Sequence, residues 1–221
     1  MLFDILFSDG DLLPSILAFL FTAPIFLMSL VLHEVAHGYV AFKLGDPTAK
    51  MRGRLTLNPL KHIDPLGAVM MLLCGYGWAK AVPVNPNYFK NPKKGMALVA
   101  LAGPSTNLIL AFLSLTSYAI LMRFVPITNI FIYAVALFFY YSATLNVTYA
   151  VFNMIPIPPF DGSRVLFAFL PDKYYFGVMR YERVIMLIVL VGMASGVLFT
   201  PVQALTDLLL TGMVKLVNLI F

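Results

Sequence analysis

The chain has 221 residues, of which 61% are hydrophobic and only 11% charged. That balance excludes an ordinary soluble domain and describes a membrane protein, of a length for one unit or at most two. The formal charge of +5 does not imply nucleic acid, because the basic residues stand in loops between apolar runs, where they report orientation.

Residues 1–11 form a short acidic lead with Asp4, Asp9 and Asp11 and no Lys or Arg. This is the reverse of a secretory leader, so no cleavage is expected and the N-terminus is read as outside. Residues 12–43 read as the first helix. From Pro14 to Leu32 it carries 19 residues without a charge, enough to cross a bilayer, with Pro24 as an internal kink. The run continues into His33-Glu34-Val35-Ala36-His37. Positions four apart share a helix face, so the two imidazoles can grip one zinc ion with Glu34 beside it as proton acceptor. Two histidines and a glutamate continuing a membrane helix are costly unless they are used. Gly45-Asp46-Pro47 then stops the helix.

Residues 44–64 are polar and basic. Asp46 and Asp64 each precede a proline and read as turn formers, and His62 reads as polar structure. Residues 66–78 are apolar but too short to span as a helix. A re-entrant or interfacial β-hairpin is expected near residues 54–86, within an otherwise all-α polytopic bundle. Its extended part, Val82-Pro83-Val84-Asn85-Pro86, must face protein or a wet cavity. Residues 95–122 and 127–152 read as the second and third spans, the second carrying Gly103-Pro104 and Asn107. Three prolines among Pro156, Pro158 and Pro159 forbid a helix before Asp161. Residues 164–183 read as interfacial, 184–200 as the fourth span, and 202–221 as an apolar tail that spans or lies on the surface.

Nine of the fifteen basic residues fall in 43–94 and four in 160–183. Those loops are therefore read as cytoplasmic, and the HExxH end as facing that side.

A catalytic zinc needs three protein ligands and an open position. Lys43 stands where a third histidine of the extended HExxHxxGxxH pattern would fall. Two carboxylates remain as candidates. Glu182 lies among arginines and suits a surface ion pair. Asp161 lies in a proline-stiffened loop among apolar neighbours, where a lone carboxylate wants a cation; the alternative is a turn or helix cap.

Taken in order, His33-Glu34-Val35-Ala36-His37-Gly38, Asn58-Pro59 with His62 and Asp64-Pro65, Gly77-Trp78-Ala79-Lys80 with Pro83-Val84-Asn85, Gly103-Pro104 with Asn107, and Asn153 to Asp161-Gly162 form one pattern. In these motifs, over residues 14–170, the chain resembles the site-2 protease family of intramembrane zinc metalloproteases, specifically its small prokaryotic members. The resemblance implies a single domain over 1–221, with His33, His37 and Asp161 as zinc ligands and Glu34 as catalytic base. It implies membrane-spanning protein substrates cut in or near the bilayer, and a prokaryotic inner membrane as location. Asn107 is the candidate oxyanion donor, with an interhelical hydrogen bond as its alternative role. Gly77, Trp78, Val84 and Asn85 are the candidate substrate-binding residues, on a sheet edge to which an unwound segment can pair. Ala81 departs from the proline common at its position. No PDZ-like module is present, so regulation by one is not expected. The competing reading is a membrane metal transporter or channel without peptidase activity, which predicts ionisable groups along several spans.

Overall fold

A computed structural model describes residues 12–74, 78–126, 128–171, 177, 181–196 and 199–220. Helix α1 runs Leu12–Lys43, α2 Thr48–Met51, α3 Pro65–Cys74, α4 Pro92–Phe124 and α5 Ile130–Asn153. Then come α6 at Asp161–Phe167, α7 at Glu182–Ala194 and α8 at Phe199–Ile220, with single 3-10 turns at Pro59–Lys61 and Pro86–Tyr88. Among the described residues four helices are long and apolar enough to cross a membrane: Phe19–Lys43, Pro92–Phe124, Ile130–Asn153 and Phe199–Ile220.

Asparagine followed by proline starts a helical turn three times. Asn58, Asn85 and Asn91 each accept a backbone N–H through the side chain, and the proline sits at the first helical position, where its missing N–H costs nothing. Asn129 caps α5 in the same way, without the proline. Helix α4 is the centre of the bundle and packs against α1, α5, α6 and α8. Small residues let it approach closely: Ala111 and Ala143 are fully buried where α4 and α5 meet α8, with Val147, Val202 and Val217 filling the seam.

Two expectations are overturned. The β-hairpin near 54–86 is not formed: the described residues there contain no strand, only one isolated antiparallel bridge between Ile63 and Ala79, with the Lys80 N–H donating to the His62 carbonyl at 2.9 Å. Pro59, Pro65, Pro83 and Pro86 remove the donors a ladder needs, and Asp64 starts a helix instead, its Oδ1 taking the Gly67 N–H at 2.9 Å. Residues 184–200, expected as the fourth span, do not form one continuous helix. Helix α7 has 13 residues, about 20 Å of rise, and the chain breaks at Gly196 with φ +80°. The 22-residue α8 is the helix long enough to cross. In the expected interfacial stretch at 164–183, residues 172–176 and 178–180 lie outside the described residues; α6 covers its beginning.

Candidate metal centre

On α1, His33 and His37 stand one turn apart with ring centroids 4.5 Å apart and planes at 86°. Both rings are buried. Each is held from behind by α4: His37 Nδ1 donates to the Val99 carbonyl at 2.7 Å, and His33 Nδ1 meets Asn107 Oδ1 at 2.6 Å. Asn107 is oriented in turn, since its amide N–H donates to Asn146 Oδ1 at 2.8 Å and the Asn146 amide donates to the Ser142 carbonyl. With both Nδ1 atoms facing acceptors, both carry the ring proton, and both Nε2 atoms present lone pairs on the other side.

Asp161 closes this arrangement from the start of α6. Its Oδ2 lies 3.2 Å from His33 Nε2 and 3.2 Å from His37 Nε2, and no hydrogen atom of a third group reaches it. Donor atoms at about 2.0–2.1 Å from a tetrahedral zinc stand roughly 3.3 Å from one another, which is the spacing here. Three buried lone-pair atoms converge only around a cation or around shared protons. In the protonated alternative, burial pushes the Asp161 carboxyl up, but hydrogen bonds from the His33 and His37 imidazoles outweigh it and hold it at about 2.

Gly103 is what lets α4 come this close. A Cβ there would lie 2.5 Å from His37 Nε2 and 2.6 Å from His33 Nε2, inside the donor cluster itself. Tyr149 of α5 packs its ring on His33 with centroids 4.8 Å apart.

Glu34 belongs to the same group: the ligand atoms of His33, Glu34 and His37 lie within 4.8 Å of one another. Its Oε2 accepts the Val82 N–H at 2.8 Å, which fixes one oxygen and leaves the other for a reacting molecule. Val82 lies on an extended strap, Trp78–Asn85, laid across the site and fastened along its length. The Arg54 guanidinium donates to the Lys80 carbonyl at 2.5 Å, and the Asn85 N–H donates to Asp46 Oδ2 at 2.6 Å. Asp46, fully buried, also accepts from the Thr48 N–H and hydroxyl. A cavity of about 390 Å3 lies between the strap and the donors; Trp78, Val82 and Val84 line it.

Among the candidate substrate residues, Trp78 and Val84 face this cavity, whereas Asn85 anchors the strap and caps the next turn, and Gly77 lies outside the described residues. The Glu182 side chain also lies outside them. His62 is wholly buried, with Nε2 donating to the Thr56 carbonyl at 2.8 Å. Sequence reasoning missed Asn146, Asp46 and Arg54 as supporting residues. An asparagine in an apolar span was the available signal for Asn146. The turn role given to Asp46 was incomplete, because its second oxygen reaches 39 residues ahead.

A buried His-Glu-His group on a membrane-length helix, with a carboxylate brought to both imidazoles from a distant loop, describes a multi-pass membrane protein with a group positioned to bind a metal ion. The family model described as Peptidase family M50 matches residues 125–199. "Putative zinc metalloprotease YwhC" of Bacillus subtilis is 44% identical over 142 residues, covering 63% of this chain and 64% of its own length. "Putative zinc metalloprotease Rip2" of Mycobacterium tuberculosis is 37% identical, over 63% of this chain and 53% of its own. "Putative zinc metalloprotease MJ0611" of Methanocaldococcus jannaschii is 33% identical over 172 residues, covering 71% of this chain and 81% of its own. The chain thus spans from about half to four fifths of these relatives, and it belongs to peptidase family M50. No solved structure matches it significantly.

Proposed function

We propose that the chain is a zinc endopeptidase that cuts membrane-spanning proteins in or near the bilayer. The observation that carries this reading is the meeting of Asp161 Oδ2 with both Nε2 atoms at 3.2 Å, with the Glu34 carboxylate beside them. His33, His37 and Asp161 would hold the metal, as their donor set and spacing fit zinc. When bound, zinc supplies a water acidified toward neutral pH and polarises the scissile carbonyl.

The chain's own residues do the rest. The free oxygen of Glu34 takes the proton of the attacking water and hands it to the leaving amine. The Val82 amide keeps Glu34 turned toward the reacting atoms. A membrane helix hides its peptide bonds, so the substrate must unwind locally. The strap supports an extended partner: Lys80 and Val82 spend their peptide groups on His62, Arg54 and Glu34, and backbone alternation turns those of Ala81 the other way. The basic loops favour a site facing the cytoplasmic half of a prokaryotic inner membrane, with the N-terminus outside. The test is co-expression of wild type and Glu34→Gln with comparison of membrane proteomes. Single-span stubs that accumulate only with Glu34→Gln are the expected result, and identical proteomes contradict it.

Asn107 is better suited to positioning than to oxyanion binding, since its carbonyl and amide are committed to His33 and Asn146. Asn107→Ala is therefore expected to weaken zinc affinity by roughly 10–100-fold, the usual cost of losing an outer partner of a metal ligand. An oxyanion donor would instead leave zinc affinity intact and lower kcat alone.

Acid returns protons to the donor trio and expels the metal. Zinc retained after dialysis should fall steeply below about pH 6 and recover on return to neutrality. Full retention at about pH 4 would contradict histidine ligation.

A further inference from the structure

Trp78 and Ala79 line the catalytic cavity and also a second one. This second cavity, about 230 Å3 in volume, is walled by Ala23, Phe26, Leu27 and Leu30 of α1, by Ala68 of α3, and by the Trp78–Ala79 segment. Leu30 stands one helical turn before Glu34, about 6 Å along the axis. The strap wall is firmly seated, because a Cβ on Gly67 would lie 2.2 Å from the Trp78 carbonyl oxygen. His62 also lines the cavity. With Nε2 donating to Thr56, its buried Nδ1 is an acceptor without a partner among the described residues.

We infer that this cavity receives one large apolar side chain of the bound substrate, the size of leucine or phenylalanine, next to the bond that is cut. The inference rests on the peptidase reading above. A cavity of about 150 Å3 admits a benzene ring, so this one takes a single large side chain, and it is too small for a drug-sized ligand. Its lining is almost wholly apolar. An extended segment lying along the strap turns alternate side chains to opposite sides. Because the strap residues Trp78 and Ala79 wall both spaces, a backbone presented to Glu34 has one side chain beside this cavity. The wall shared with the catalytic cavity, Trp78 and Ala79, selects a substrate side chain over a lipid tail.

Two readouts separate this proposal from the one it rests on. The first is cleavage of a proteome-derived peptide library by the purified, zinc-loaded full chain, with products sequenced by mass spectrometry. Wild type should enrich Leu, Phe and Met at one position beside the cut. Ala68→Leu and Ala23→Leu, which fill the cavity from opposite walls, should shift that position alone toward Ala and Val, changing the large-to-small ratio about tenfold. The second needs no catalysis. Trp78 is the chain's single tryptophan, so its emission reports the cavity. In the Glu34→Gln protein, blocked alanine-glycine peptides bearing one Phe should change that emission at least about tenfold lower in concentration than peptides bearing Ala, and Ala68→Leu should abolish the difference.

Selective binding without cleavage by wild type would keep the cavity assignment and overturn the peptidase. Cleavage with the same profile in wild type and both filled variants would overturn the cavity assignment. Quenching of Trp78 by brominated acyl chains that the peptides fail to displace would also overturn it, assigning the space to lipid. If the filled variants lose their zinc, Leu27→Ala decides: enlarged preference toward Trp supports the proposal, and an unchanged profile overturns it.

Discussion

Gly103→Ala is expected to abolish metal binding. The added methyl group would stand 2.5–2.6 Å from both Nε2 atoms, where a metal's donors converge. Neither neighbour can retreat easily, because His33 is held by Asn107 and His37 by the Val99 carbonyl. The expected fall in zinc affinity is at least about 100-fold, beyond what loss of an outer hydrogen bond produces. Gly212→Ala is the control: its Cβ meets nothing within 4 Å, and zinc content should be unchanged. Zinc per chain by elemental analysis after dialysis checks both. A Gly103→Ala protein with full zinc would mean that α4 does not approach the imidazoles as described.

Glu34→Gln is expected to separate binding from chemistry. The amide preserves the shape of the side chain and can still accept the Val82 N–H, so the donor trio and the strap stay in place. It cannot accept a proton from water. Zinc content should match wild type while cleavage falls by about 10²–10⁴-fold, the range for loss of a positioned general base. Loss of zinc together with activity would make Glu34 a ligand and would reopen the position given to Asp161.

The α1 site is legible in the sequence because a helix has a fixed period: residues 33 and 37 must share a face whatever the rest of the chain does. Asp161 is legible for a different reason, the rarity of carboxylates among apolar residues; its distance to the imidazoles is set by the fold and by nothing local. The strap was misread as part of a hairpin. Its alternation from Val82 to Val84 is strand-like, but a ladder needs a partner with free N–H groups, and the partner segment starts helix α3 at Asp64-Pro65. Residues 184–200 read as one helix because hydropathy runs on through them, while Gly196 at φ +80° lies between two helices in that run. Gly103 shows the limit of reading residues singly. Gly103-Pro104 suggests a kink, but that a Cβ there would press against both imidazole Nε2 atoms follows only from α1 and α4 lying side by side.

The most direct test of the trio is X-ray absorption at the zinc edge on Asp161→Cys, made in a chain whose single native cysteine, Cys74, is replaced by serine. If Asp161 supplies the third donor, the variant shows one sulfur scatterer at about 2.3 Å beside imidazole nitrogens at about 2.0–2.1 Å. Zinc bound at wild-type stoichiometry with only nitrogen and oxygen neighbours would contradict it.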